Sequence, residues 1–309
     1  MGLAPLILTD NWGHALEPGI IAVWDEEQSS YVDDMNMLAR VYNMRPTDLR
    51  TNTVFGIGAS SNPTERPEGG PLPKDSREQM FKQQLVQQSI DKGIDITYEM
   101  MRFGEYMGIS QLVRDESNSF TRKMLVDGWD TFNNAFDATN YPGPDSVALC
   151  SATHDLSPTN GNHWSNYGTT ALSYDAVINT RKLVKKWTDS RGNLINIMLD
   201  TLVVPIELED IAWTIVNSVN KPGTADNDGN FIRSRSLTVL ASPFLSDANN
   251  WFFVDSVKAR IHNLWITADP PTFGLDERSS SYLVNTYAGH AMYKLGWSDA
   301  RWVYGHEVS

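Results

Sequence analysis

Cysteine is almost missing from this sequence, which has one such residue, Cys150, among 309. That excludes an intramolecular disulfide framework, so stability has to come from packing or from assembly. Positive charge is short as well: 25 Lys and Arg stand against 38 Asp and Glu, for a formal net charge of −13. Tight binding to phosphates needs clustered cations that release counterions, which argues against a dedicated nucleic-acid binder. The first use of such a charge is solubility through mutual repulsion. Turned towards DNA, it would make a wall that DNA does not stick to. No apolar run approaches the roughly 18 residues of a membrane helix. The N-terminal "MGLAPLILTDNW" has no basic flank, and its apolar run is too short for a signal peptide. Synthesis in a cytosol, away from any membrane, is therefore expected. Internal repeats at periods of roughly 20 to 50 residues are also absent.

What is present is large buriable surface: 41% of residues are hydrophobic, with 10 Trp, 11 Tyr and 11 Phe. That suffices for the core of one large domain or two ordinary ones. Residues 1–45 mix Pro, Gly and Trp with little periodicity and read as an extended arm ordered by whatever it lies against. "GIGASSNPTERPEGGPLPKDS", Gly56 to Ser76, is too long and too rich in Gly and Pro for an ordinary loop and reads as an excursion. From Glu105 to Phe136 the pattern is helical, with Ile109, Val113, Phe120, Met124, Gly128, Phe132 and Phe136 drifting around one face. Ser173 can cap a second helix whose buried face would carry Ala176, Thr180, Leu183, Val184 and Trp187. "LINIMLDTLVVP" reads as a buried strand ended by Pro205. A helix then follows with a stripe of Leu208, Ile211, Ala212, Ile215 and Val219, and with Trp213 at its edge. Beyond Phe231 the chain reads as five strands, "SLTVLAS", "WFFVDS", "NLWITA", "SYLVNTYAGHAMYK" and "RWVYGHEV". Helices in the middle with strands on either side give the α+β class.

No group of residues amounts to an active site, a cofactor site or a metal site. Cys150 and His154 are four apart and could in principle be a nucleophile and its base, but no local signature of a cysteine hydrolase surrounds them. A lone cysteine is ordinarily a small core residue. The six histidines, His163 among them, are scattered without zinc-ligand spacing. "FGIG", Phe55 to Gly58, lacks the third glycine and the following helix of a nucleotide fingerprint. "DNDGN", Asp226 to Asn230, begins like a calcium loop, but Phe231 stands where the obligatory glycine should be. The pairs Asp33–Asp34 and Glu26–Glu27 read as solvated surface.

Taken in order, several stretches resemble the major capsid (major head) proteins of tailed bacteriophages, in particular the Mu-like major head subunit branch. "VALCSATHDL", from Val147, followed by "SN" and the capped helix "LSYDAVINTRKLVKKW", is similar to that branch's apolar run, turn and helix. "LDTLVVPIELEDIAWTIVNS" resembles its strand–helix unit, and "LTVLASPFLSDANNWFFVDS" its next element. "EGGPLPKDS" and "KGIDITYEM" resemble the long loop and returning strand before the long helix. The likeness covers about four-fifths of the chain and rests on the order and spacing of these pieces. Asp155 departs from it, standing where the family often has Pro, and residues 1–45 match loosely.

The resemblance implies the tailed-phage capsid fold. It divides the chain into an N-terminal arm at 1–45, an extended loop at 46–93, a peripheral domain with the long spine helix at 94–144 and 256–309, and an axial domain at 145–255. It makes "CSATHDL" a connection, with His154 a turn residue and Cys150 in the core. It implies a non-enzymatic structural protein that self-assembles into hexamers and pentamers of an icosahedral head, enclosing double-stranded DNA without binding it tightly. The implied location is the virion, after assembly in the host cytoplasm. The implied partners are a portal and a separate scaffolding protein, since the arm follows Met1 directly. Lys74 is not expected to form a covalent cross-link. Two alternatives are an encapsulin-like compartment, against which the arm counts because such shells usually begin with a helix, and a cysteine hydrolase using Cys150 and His154.

Overall fold

The computed structural model describes residues 12–309, apart from 73, 76, 224–227, 280 and 282. The start of the expected arm, residues 1–11, lies outside the described residues, as do Asp226 and Asn227 of the loop weighed for calcium.

The long helix is the first organising element. It runs Tyr106–Asn133 as α4 (α1 to α3 are placed below), 28 residues or about 42 Å at 1.5 Å per residue. Its buried residues include Ile109, Val113, Phe120, Leu125, Trp129 and Phe132, the face expected from the sequence. That face lies on a four-stranded sheet built from β1 (Asn43–Pro46), β4 (Gln88–Thr97), β11 (Asn263–Asp276) and β12 (Val284–Trp297), in the order β1-β11-β12-β4. Along most of β12 every second residue is buried, as expected when one sheet face meets a helix and the other does not. The register of β11 against β12 slips between Thr267 and Thr272, where Pro270 and Pro271 cannot donate to the ladder.

The extended-arm expectation is corrected for residues 12–41, which form α1 (Trp12–Ser29) and α2 (Val32–Val41). Leu16, Ile20, Val23 and Trp24 keep helical spacing towards the core, a pattern that Pro18 and Gly19 obscure in the sequence. Trp24 stacks on Phe273 with ring centroids 4.6 Å apart and meets Phe120 edge-on at 5.4 Å. Leu38 and Val41 of α2 are buried, and the Tyr42 hydroxyl donates to the Gly128 carbonyl at 2.6 Å. These helices bury their own apolar side chains and complete the core over α4. A short helix, α3 (Tyr98–Arg102), precedes α4 and is capped by the Thr97 side chain.

A second sheet has the order β7-β13-β10-β8-β9, from β7 (Tyr167–Gly168), β8 (Thr201–Pro205), β9 (Thr238–Ser242), β10 (Trp251–Val254) and β13 (Val303–His306). Every residue of β8, β10 and β13 is buried, because both faces are covered. Phe252 and Val254 join the core under α4, whereas Trp251 and Phe253 join a second cluster beneath α5 (Tyr174–Val184) and α6 (Glu209–Asn217). Ser173 caps α5 by accepting from the Ala176 amide at 3.2 Å. The five C-terminal strands fall where their pattern placed them. One helix among them, α7 (Ser256–His262), was not expected; its cap, Asp255, accepts from the amides of Val257 and Lys258. Two hairpins stand apart from the sheets: β2 (Thr51–Ile57) with β3 (Gln79–Val86), and β5 (His154–Ser157) with β6 (Asn160–Trp164).

Of the stretch read as a buried strand, Leu194 to Pro205, only Thr201–Pro205 is strand, and Leu194 and Met198 are exposed. Three further side chains expected inside are outside. Leu183 is 51% exposed, Ile211 42% and Val219 67%. On α6 the buried stripe is Ala212, Ile215 and Val216; Leu208 of the predicted stripe belongs to the preceding 3-10 turn Ile206–Leu208, and Val219 lies beyond the helix end at Asn217.

Gly128 sits where α4 approaches its neighbours most closely: a Cβ there would lie 2.5 Å from Leu38 Cδ1 and 3.1 Å from the Trp265 ring. Alanine normally improves a helix interior by about 1 kcal/mol over glycine. Here Gly128→Ala is expected to destabilise the chain by about 1–3 kcal/mol through overpacking. Urea denaturation of the two proteins checks the sign.

Candidate functional site

The Cys150–His154 region is architecture. The Cys150 amide donates to the Ala135 carbonyl at 2.7 Å, and its Sγ lies beneath Gly305, where a Cβ would come within 2.6 Å. Burial raises the thiol well above its ordinary range, so the thiolate a nucleophile needs is disfavoured. His154, expected in a turn, is instead a buried residue of β5. Its ring stacks on Trp164 at 4.6 Å, with Nδ1 facing the Asp145 carboxylate at 2.5 Å and Nε2 facing Asn166 Oδ1 at 3.1 Å. Both ring nitrogens are taken up by these partners rather than by the Cys150 thiol. His163 is exposed and pairs with Asp155 at 2.7 Å.

Asn166 matters more than its place in the "SN" motif suggests, since no chemical pattern around it in the sequence marks it out. It is fully buried. Its Nδ2 donates to the carbonyls of Leu149 at 2.8 Å and Val303 at 3.2 Å, and its Oδ1 accepts from the Ser151 amide at 2.8 Å. The Gly305 amide closes the set by donating to the Asn166 carbonyl at 2.9 Å. One side chain thus stitches the connection after α4 to the last strand of the second sheet, satisfying polar groups that burial would otherwise penalise.

The remaining candidates do not assemble into chemistry. Gly56 belongs to β2, and the Gly58 amide continues the hairpin by donating to the Glu78 carbonyl at 2.8 Å; a strand pair is no phosphate cradle. Asp33 and Asp34 lie in the first turn of α2, where negative charge suits the helix dipole. Among the described residues no three His, Cys, Asp or Glu side chains gather to hold a metal ion, and no helix is long and apolar enough to cross a membrane.

What the chain does present is exposed apolar surface on projecting elements. Phe103, which ends α3, is 75% exposed and Met107, in the first turn of the long helix, 89%; Leu72 of the excursion is 72% exposed, and Trp213 of α6 62%. Large apolar side chains grouped on protruding elements are the mark of contact with other protein surfaces. The excursion is anchored at its base: the Ser61 amide donates to Asp75 at 2.8 Å, and Asp75 pairs with Arg191 at 3.0 Å. The amide bond from Ser61, more than the arginine, holds the Asp75 carboxyl below its usual range.

The family described as phage capsid protein matches residues 83–305, from within β3 to β13. The chain belongs to that family. Three solved structures carry the same fold. The capsid structure of the cyanophage P-SCSP1u aligns with a TM-score of 0.53 and 9% identity over 87% of this chain and 86% of that one. A chain from Microbacterium phage Oxtober96 gives 0.52 and 10% over 88% and 90%, and one from Mycobacterium phage Patience 0.52 and 10% over 98% and 88%. No curated protein matches the sequence. As a structural major capsid protein, the chain has its functional site in the surfaces it offers to other copies, and its place is the capsid of a virion.

A capsid subunit must keep its second sheet intact, and His306 makes that dependent on pH. Its ring is buried against Trp251 at 4.1 Å, faces Thr180 Oγ1 at 2.8 Å, and accepts from the Thr170 amide at 3.3 Å. Desolvation lowers it from 6.5 to about 4. The unfolded chain takes up this proton near pH 6.5 and the folded chain only near pH 4, so acidification between these values favours unfolding. The loss from this group reaches about 3 kcal/mol once pH falls below the lower value. Chemical denaturation from pH 7 to pH 4 is expected to show a shallower decline for His306→Gln than for the wild type; equal slopes would remove His306 as the cause.

Proposed function

We propose that this capsid protein builds hexamers and pentamers of an icosahedral head that encloses double-stranded DNA, and that it has no enzymatic role. The observation that carries this reading is a full capsid fold whose projecting elements leave large apolar side chains uncovered. We assign residues 1–45 to an N-terminal arm, helical from Trp12 onwards, 46–93 to an extended loop, 94–144 and 256–309 to a peripheral domain, and 145–255 to an axial domain. Strand β13 returns from the peripheral part to complete the axial sheet. The motifs from Val147 to Asp255 support placement in the Mu-like branch. Assembly in a host cytoplasm, a portal and a separate scaffolding protein complete the proposal, and Lys74 is assigned no cross-linking role.

An encapsulin-like compartment is a second reading with one observation in its favour. The helix α1 weakens the objection drawn from an extended arm for residues 12–29. Expression followed by electron microscopy separates the two: closed shells support both, and a co-purifying enzyme cargo would favour the compartment.

Deleting residues 56–76 is expected to leave a folded subunit that no longer forms stable shells, since an excursion of this kind adds little to its own core and can reach a neighbour. Unchanged shell yield would contradict that assignment. The net charge of −13, repeated over a shell, repels DNA within a screening length of about 10 Å at 0.1 M salt. Empty shells should therefore show no measurable affinity for linear duplex DNA in a filter-binding titration at 150 mM salt. Micromolar binding with a steep salt dependence would contradict the non-adhesive wall.

A further inference from the structure

The acidic balance of the chain hides a cationic cleft, and the helices over the second sheet carry both it and an acidic face. A cleft of about 980 Å³ beside α5 is lined by five cations, Arg181, Lys182, Lys185, Lys186 and Lys221, and by two carboxylates, Asp175 and Asp228. Asp175 is already paired with Lys221 at 3.2 Å. The Arg181 and Arg235 guanidinium groups both lie over the Phe231 ring, at 5.9 and 4.8 Å from its centroid. Nη1 of Arg181 is buried with no acceptor among the described residues. Desolvation first, and repulsion from Arg235 second, lower the Arg181 pKa. Among the described residues this cleft holds more cations than carboxylates.

The complement is on α6. Glu207 precedes the helix, Glu209 and Asp210 form its first turn, and its last turn has no basic residue. Trp213, one helical turn beyond Glu209, is 62% exposed and shares its face.

The two helices cover different strands of one sheet. Helix α5 reaches β13 through Thr180 and His306, near the β7 end, while α6 packs on β8 and the edge strand β9. The two patches are not paired with each other: Glu207, Glu209 and Asp210 make no ion pair with Arg181, Lys182, Lys185 or Lys186 among the described residues. They can meet head to tail between copies, and a head-to-tail contact closes into a ring when its rotation permits.

We propose that the acidic face of α6, anchored by Trp213, seats in the Arg181–Lys186 cleft of the adjacent copy of this chain, and that this contact joins subunits around a capsomer. The occupant is a second copy because the required charge and an exposed aromatic anchor are both on the chain itself. Charge complementarity of this kind fixes orientation and speeds encounter, and the aromatic side chain supplies the buried anchor. The proposal rests on the shell-forming function above.

The test uses the full-length chain in four forms: wild type, Lys182→Glu with Lys186→Glu, Glu209→Lys with Asp210→Lys, and all four changes together. All four side chains are exposed, and thermal melting verifies that each variant folds. Sedimentation and electron microscopy then measure the assembled fraction. Each single-face variant is expected to lose at least about tenfold in assembly, and the fourfold variant to recover it, because reversing both faces restores attraction. Structural damage would add rather than cancel.

Wild-type shells together with single-face variants that also assemble would overturn the proposal while leaving the shell reading intact. Failure of the fourfold variant to recover would overturn it in the same way. A lysine variant that assembles normally but loses affinity for duplex DNA would make nucleic acid the occupant and overturn the proposal. A wild-type chain that stays monomeric overturns the shell reading, and this contact with it.

Discussion

The close seating of one long helix on one sheet is the constraint on which the rest of the molecule depends. Helix α4 can lie as near as it does because two glycines leave room. Leu38 and Trp265 occupy the space a side chain at position 128 would need, and Phe120 lies 2.5 Å from where a Cβ on Gly289 would stand. That proximity lets Trp24, Phe120 and Phe273 form one aromatic cluster, and it places the Gly128 carbonyl within reach of Tyr42. Burial, rather than propensity, secures this helix, since its sequence includes two glycines. It also carries a glutamate on its inner face. That glutamate, Glu116, is buried and meets Lys92 of β4 at 2.6 Å, so the ion pair ties helix to sheet.

The second half of the fold follows from the same helix by way of its end. Phe132 meets Phe252 of β10 at 5.2 Å and Trp302 at 6.0 Å, so the last turn of α4 reaches the five-stranded sheet directly. Asn166 then fixes the returning chain to the strand before the C-terminus. With one face of this sheet spent on α4, its other face is left to α5 and α6. Those helices stand on a fully buried platform, which holds their outward-facing charges in fixed positions. A rigid base carrying segregated charge suits contacts that must be repeated many times in a fixed orientation.

A subunit without disulfides, whose largest exposed side chains sit on projecting elements, gains from neighbours what it lacks alone. The excursion between β2 and β3 is held at its base but presents mostly exposed residues along its length. Ordering such a segment is entropically costly, and contact with a second surface offsets that cost. A shell also places one sequence in environments that are only nearly equivalent, and projecting elements accommodate the differences more readily than a packed core can.

By itself the sequence determined the elements whose pattern is local. The buried face of α4, the cap of α5 at Ser173, the buried strand ending at Pro205 and the five C-terminal strands all follow from periodicity and punctuation, which depend on neighbours in the chain. The order of these pieces also carried the resemblance to capsid proteins. Only the tertiary structure decided the rest. The N-terminal helices were hidden because Pro18 and Gly19 interrupt the pattern that burial against Phe120 and Phe273 reveals. The true stripe of α6 depended on where the helix begins, after a 3-10 turn, and where it ends, before Val219. Cys150 and His154, close in sequence, were separated in role by long-range partners, Gly305 for one and Asp145 and Asn166 for the other. The cationic cleft was dispersed over α5, Lys221 and the Phe231 segment, and only folding brings those charges together, because charge proximity is a property of distance in space and not of distance along the chain.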